Sequence, residues 1–416
     1  MMLTELRRSL HADPELGLEL PRTQQRVLGA LAGLPLEVTR GTTLSSVTAV
    51  LRGRSRTGGA PVVLLRADMD ALPITEQADV PYRSRNPGAM HACGHDLHTA
   101  MLVGAAHLLC ATRDDLPGDV VLMFQPGEEG HDGAAKMIAE GVLEAAGPQP
   151  VAAYALHVQS VRPSGMFATR SGAILSGNAR MRVTVHGKGG HGAAPHRALD
   201  PVTTMAEMIT AVQSLVTRRF DAFDPVIVTV GHVSAGSHGT AIPSSAYFEA
   251  TIRSYSERHR AEARRLLTEL INGIAAAHGT TADVGFDAEL PVTVTDDAET
   301  GFAAGVVRDL YGAERFATMP HPHPASEDFS RVLARVPGAF VFLGARPAGC
   351  DPGEAHENHS PFARFDDGVL HDGARLLAEL AARRLNEAAT TAPSSSRLNE
   401  AAATAPSSSR VRPGPR

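Results

Sequence analysis

The sequence predicts an α/β protein with a mostly parallel central sheet, interrupted by an inserted α+β unit. Three observations carry this. In the first part of the chain, short and continuously apolar runs alternate with helical segments, as in strands covered on both faces. From about Asn178 the apolar runs alternate with polar residues instead, as in half-exposed strands. After about residue 288 the continuous apolar texture returns.

Residues 3–31 read as helical, with an interruption at Pro14. The first buried strand is Val62-Val63-Leu64-Leu65-Arg66-Ala67, which ends at Asp68-Met69-Asp70. A helix over about 96–111 follows, with Ala, Leu and Met spaced for burial. A second strand, Asp119–Phe124, ends at Glu128-Glu129, and a third, Val151–Leu156, ends at His157. Met181–His186, Pro225–Val233 and Ala246–Arg253 read as half-exposed strands, separated by helices over about 199–217 and 256–278. Ala339-Phe340-Val341-Phe342-Leu343 reads as one more buried strand. The expected division is 1–176 with 288–385 as one discontinuous unit and 177–287 as the insertion. A segment of Ala, Ser and Pro at 384–396 is nearly repeated at 397–409, so 386–416 is expected to be a disordered tail.

Composition narrows the function. A net charge of −6 gives no basic footprint for a nucleic acid. Aromatic residues make up only 4% and Trp is absent, which argues against a stacking platform for bases or sugars. Three cysteines, Cys93, Cys110 and Cys350, do not make a disulfide framework. The N-terminus lacks the apolar stretch of a signal peptide, and no run approaches the ~20 residues of a membrane span. A cytoplasmic, reducing location is therefore expected.

The run His91-Ala92-Cys93-Gly94-His95-Asp96-Leu97-His98 crowds a thiol, three imidazoles and a carboxylate together. Thiolate and imidazole suit zinc and its first-row neighbours. An isolated Cys-x-His fits a buried thiol beside a helix start just as well, so context must decide. Adjacent glutamates at a strand end can divide the work: Glu129 as ligand, Glu128 as general base toward water. In open α/β sheets, sites form beyond the carboxyl ends of the strands. The strand order therefore brings Asp70, Glu128, Glu129 and His157 to one edge. Cys93, His95, Glu129, His157 and His359 are five candidate ligands, which fits a two-metal site. Asp70 is expected to orient a histidine ligand or Glu128. The loop Gly187–His196 lacks the Lys-Ser/Thr ending of a phosphate loop, and its His191 can reach over a site to donate to an oxyanion.

These residues resemble the co-catalytic metallopeptidases and amidohydrolases that include aminoacylases and glutamate carboxypeptidases. The nearest branch is that of hippurate hydrolases and indoleacetyl-amino-acid hydrolases. The resemblance runs from Leu6–Gly17 to about residue 385. Along it lie Arg66–Pro73, His91–Ala100, Phe124–Glu129, Gly187–Pro195, Ser326–Phe329 and His359–Pro361, in order. It implies a zinc-peptidase-like catalytic domain and an inserted lid domain that dimerises. It assigns Cys93, His95, Glu129, His157 and His359 to two divalent metals (zinc, manganese, cobalt or nickel) and Glu128 to the base. Asp70 matches the family's metal-site aspartate. His191 matches the lid histidine that stabilises the tetrahedral intermediate, often across the dimer. Arg253 matches a lid arginine that pairs with a substrate carboxylate. Where relatives carry Asn three residues before a lid proline, this chain has Thr240 before Pro243, and His238 stands nearby.

The reading that follows is a metal-dependent amidohydrolase of N-acyl amino acids, working as a homodimer on a small-molecule substrate, without nucleic acid or membrane. A dipeptidase or carboxypeptidase would use the same site. A non-catalytic binding protein on this fold would have lost the base or the ligands, and neither is lost.

Overall fold

The computed structural model describes residues 3–54 and 60–391. Strands β1 (Leu36–Arg40), β2 (Val47–Leu51), β3 (Val62–Asp68), β4 (Asp119–Gln125), β5 (Ala152–Pro163) and β6 (Phe167–Thr169) come first. Then come β7 (Gly177–His186), β8 (Val226–Ala235), β9 (Ser245–Ser254), β10 (Thr281–Leu290), β11 (Phe316–Thr318) and β12 (Gly338–Arg346). The larger sheet has the order β1-β2-β4-β3-β5-β12-β6-β11. Its centre, β4-β3-β5-β12, is parallel throughout, and the β1–β2 hairpin adds antiparallel strands at one end.

Continuous apolar runs are explained by two cores. Val63, Leu65 and Ala67 of β3 enter one core, while Val62 and Leu64 enter the other. Val120, Leu122 and Phe124 of β4 divide from Val121 and Met123 in the same way. Side chains alternate faces along a strand, so a strand covered on both faces must be apolar at every position. The first core is filled by helices α1 (Leu3–His11), α2 (Pro21–Leu31), α3 (His95–Ala111) and others further along the chain. Nearly every residue in the first half of α3 is buried, because it is wedged between the sheet and its neighbouring helices.

The second sheet, β8-β9-β7-β10, is antiparallel. Helices α4 (Pro201–Arg219) and α5 (Glu257–Ala277) pack on it around a third core. Asp200 and Ser256 cap their N-termini, accepting from Val202 N and His259 N. The first strand of this sheet and its last lie side by side, with Asn178 opposite Leu290. The last strand thus runs three residues past the expected boundary at 287. The mixed α/β class with a mostly parallel central sheet stands as read. Helices α6 (Asp297–Tyr311) and α7 (Leu370–Thr391) complete the main layer. Residues 386–391, expected to begin the tail, continue α7, since Leu-Asn-Glu-Ala-Ala suits a helix until the Pro-Ser run begins. The rest of that expected tail lies outside the described residues. No helix among the described residues is long and apolar enough to cross a membrane.

Candidate metal centre

The carboxyl ends of β3 and β4 and the middle of β5 meet the start of α3 and the loop after β12; β5 does not end at His157 as expected but runs on to Pro163, paired there with β12. Cys93 sits just before α3 because Gly94 turns the chain there at φ +84°. A Cβ at Gly94 would stand 2.4 Å from Val158 Cγ2, so this turn requires glycine on both counts. His359 enters from the other side. Its φ is +70°, which is uncommon for a side-chain-bearing residue, and its N–H donates to Ala92 O at 2.9 Å. Asn358 holds that loop to β5, donating to Val158 O at 3.0 Å and accepting from Ser160 N at 2.9 Å.

The donor atoms converge. Cys93 Sγ lies 3.4 Å from His157 Nε2 and 3.2 Å from His359 Nε2, which is itself 3.2 Å from Glu129 Oε1. Donors of Cys93, His95 and His157 lie within 4.8 Å of one another, as do those of Cys93, Glu129 and His359, and of His95, Glu128 and Glu129. Asp70 accepts from Glu128 N and Glu129 N at 3.0 Å each, fixing the turn that carries both carboxylates. It also stands 3.7 Å from His95 Nδ1. All the residues expected at the strand ends are therefore together.

Hydrogen bonds sort the histidines. His157 Nδ1 donates to Val158 O at 2.8 Å, which leaves the Nε2 lone pair facing Cys93. Burial first, then the neighbouring His98, keeps this ring neutral by pushing its pKa well below the usual value. His98 is fully used: Nε2 accepts from Val158 N at 2.8 Å and Nδ1 lies 2.6 Å from Asp68. It is a support, as is Asp96, which binds His11 at 2.8 Å and Arg7 at 2.9 Å beneath α3. His95 is wholly buried, and neither of its ring nitrogens has a hydrogen bond.

The charge balance tells the same story. Burial first, then Glu327, Glu129 and Asp328, push Glu128 well above the carboxylate range, with His95 opposing. Glu327 is pushed up to about 7 by burial, against Arg66 and with Asp328 and Asp68. Arg66 is the buried cation for this group, 2.7 Å from Asp68, 2.8 Å from Glu327 and 2.9 Å from Asp328. A site with so many carboxylates and so little positive charge is built for cations. The orphaned nitrogens of His95, the free lone pair of His157 and the thiol of Cys93 fit divalent transition metals. Sequence reasoning missed the partnership of Arg66, Asp68, Glu327 and Asp328. Its sequence signals are Arg66-x-Asp68, whose period of two puts both side chains on one face of β3, and the place of all four residues in the motifs Arg66–Pro73 and Ser326–Phe329.

Beside these groups lies a cavity of about 620 Å³, lined by Cys93, Glu128, Glu129, His157 and His359 among others. Arg253 of β9 also lines it, donating to Pro324 O at 2.9 Å. His191 and Thr240 do not line it. His191 opposes Ala241 in a short antiparallel pairing of Gly190–His191 with Ala241–Ile242. Both it and Thr240 are exposed, with His238 Nδ1 2.9 Å from the Thr240 hydroxyl.

A buried thiol, imidazoles and paired carboxylates at the strand ends of a mostly parallel sheet define a metal-dependent hydrolase. The family model for peptidase family M20/M25/M40 matches residues 64–383, and the chain belongs to that family. It is 36% identical over 393 residues to thermostable carboxypeptidase 2 of Saccharolobus solfataricus, covering 92% of this chain and 96% of that one. It is likewise 36% identical to IAA-amino acid hydrolase ILR1-like 4 of Arabidopsis thaliana, covering 94% and 87%. Among solved structures, the Bacillus subtilis YXEP protein, a dinuclear metal binding peptidase, superposes with a TM-score of 0.78 at 30% identity, covering 92% and 98%.

Proposed function

We propose that this enzyme hydrolyses the amide bond of N-acyl amino acids, releasing a carboxylic acid and a free amino acid. The reading rests on the convergence of Cys93, His95, Glu129, His157 and His359 around Glu128, at a cavity that also holds an arginine. Those five residues would hold two divalent ions, with zinc, manganese, cobalt and nickel all compatible with the donors. Bound there, the ions would polarise the amide carbonyl and lower the pKa of water toward ~7.

Glu128 takes a proton from the attacking water and returns it to the leaving amine. Its buried, carboxylate-rich surroundings favour holding that proton between the two steps. Asp70 keeps Glu128 and Glu129 in register through their backbone N–H groups. Arg253 pairs with the carboxylate of the amino-acid half, where a guanidinium fork suits two oxygens. His191 donates to the developing oxyanion. Because His191 and Thr240 stand outside the cavity, they would serve the site of a second copy. In that arrangement 177–287 acts as lid and dimerisation domain on the catalytic 1–176 and 288–385. A reducing cytoplasm suits a ligand thiol.

The test is a panel of N-benzoyl, N-acetyl and aminoacyl amino acids on protein reconstituted with each metal. Release of free amino acid from acyl substrates, abolished by a chelator and restored by metal, is expected. Release from aminoacyl substrates alone would favour the second reading, a dipeptidase or carboxypeptidase, which the name of the Saccharolobus relative supports. No release from any member would remove both readings.

A further inference from the structure

The cavity lining carries a histidine that the functional reading leaves unused. His323 lies in the segment before Ser326-Glu327-Asp328, pinned beside Leu175 by a bridge in which its N–H donates to Ile174 O at 2.8 Å. Its Nδ1 accepts from Ala325 N at 3.2 Å. A ring nitrogen that accepts carries no proton, so the neutral imidazole holds its proton on Nε2, as a donor. Among the described residues Nε2 has no protein partner, and the ring lines the cavity. The ring packs on Phe342 at 5.7 Å, and Phe342 in turn packs on His157 at 6.0 Å. Burial first, with Arg162 and Arg253 and against Glu357, holds the imidazole neutral by lowering its pKa.

Arg253 is tied to the same short segment. Its Nη1 donates to Pro324 O at 2.9 Å and lies 3.4 Å from Ser176 Oγ, whose hydroxyl also donates to Pro324 O at 2.8 Å. Among the described residues its Nε and Nη2 have no protein partner. One rigid segment thus fixes two unspent donors on one cavity wall, and neither residue offers the other an acceptor.

We propose that His323 is a specificity residue: its Nε2–H and the Arg253 guanidinium together receive the free α-carboxylate of the substrate's amino-acid half. This rests on the reading of the cavity as a site for N-acyl amino acids. Both carboxylate oxygens accept, so both donors are satisfied. A carboxamide would turn an NH₂ toward one of them and leave two donors facing each other. The pair therefore selects substrates with a free carboxylate by penalising the amide, as well as by attracting the acid.

The test is calorimetric binding to the metal-loaded E128Q protein, which removes turnover from the measurement. The probes are N-benzoylglycine and N-benzoylglycine amide, against E128Q, E128Q/H323A and E128Q/H323Q. Removing His323 is expected to weaken N-benzoylglycine about tenfold to a hundredfold, the range for one hydrogen bond to a charged group. Binding of the amide should not weaken and should strengthen in the alanine variant, because the donor facing its NH₂ is gone. H323Q, which can accept from Ala325 N–H and still donate, should recover most of the loss. Equal loss for acid and amide, or no loss for either, would overturn the assignment. A wild-type enzyme with no hydrolase activity would sink the functional reading alone, since binding still decides the role of His323.

Discussion

Glu128 and Glu129 are neighbours in sequence and differ in their surroundings. Glu129 reaches His359, while Glu128 is buried beside Glu327 and Asp328. That difference gives a prediction at this scale. In Glu128→Gln, metal content by elemental analysis should stay near that of the wild type, because the amide keeps the shape and the five ligands remain. Hydrolysis of N-acyl amino acids should fall by at least ~10²-fold. Near-normal turnover would remove Glu128 as the base. The candidate ligands were readable because Cys93 and His95 sit in a dense motif, Glu129 follows a buried strand, and His157 is the polar residue of an otherwise apolar run. The buried charges were less so. Arg66 and Glu327 are 261 positions apart, and no local spacing reveals that one neutralises the other. Nor could spacing tell that His98, the third imidazole of the motif, spends both nitrogens on Asp68 and Val158 while His95 spends neither.

At the scale of elements, the strands and helices that carry the centre were legible from texture. Continuous burial marks β3, β4 and β12, and alternation marks β7 and β9. The edge strand β1 is not legible, because Leu36–Arg40 is mostly exposed and lacks an apolar face, whereas its partner Val47–Leu51 is buried and carries a short apolar run that sequence reasoning missed. The start of α3 rests on a buried polar layer that the sequence concealed as well. His11 bridges Asp96 and Glu76, and His91 lies against it with both ring nitrogens unpartnered. Burial first, then His11 and His95, push His91 down to about 4 from an ordinary 6.5, against Asp96 and Asp70. The sign follows from proton uptake. Between pH 6.5 and about 4 the unfolded chain protonates this ring and the folded chain does not. Stability contributed by His91 is thus fully present above 6.5 and lost as pH falls through that window. Urea denaturation of the metal-free protein at pH 7 and pH 4.5 should show a smaller acid loss in His91→Phe than in the wild type. Phe removes the titration without removing a hydrogen bond. Identical acid losses would mean that His91 is solvated.

At the scale of the whole molecule, the inserted unit holds His191 and Thr240 away from the cavity of their own chain. If a second copy supplies His191, two inactive proteins should repair one another. Mixing E128Q with His191→Ala under conditions of subunit exchange should restore hydrolysis, since the mixed dimer has one site with both groups intact. Failure to recover activity, with mixed dimers confirmed by mass, would place His191 in cis or outside the reaction. The insertion itself was visible as a change of texture near 178 and 288. Pairing with a second copy is implied only by the family resemblance, because the spacing of residues within one chain does not encode contacts between two.

The pairing of Asn178 with Leu290 has a consequence for how the chain assembles. Strands β5 and β12 are parallel neighbours in the main sheet, yet all of β7 to β10 lies between them in the sequence. Joining them directly would require closing a very long loop, and such non-local contacts are slow to form. The insertion is an antiparallel sheet whose first and last strands are adjacent, so once it has folded its two ends are only ~5 Å apart. From then on the connection between β5 and β12 is shorter by the whole insertion, leaving only residues 164–176 and 291–337 to close. The order of events that topology favours is therefore insertion first, central sheet second, and metal centre last, because Cys93 and His359 come together only when β12 has docked.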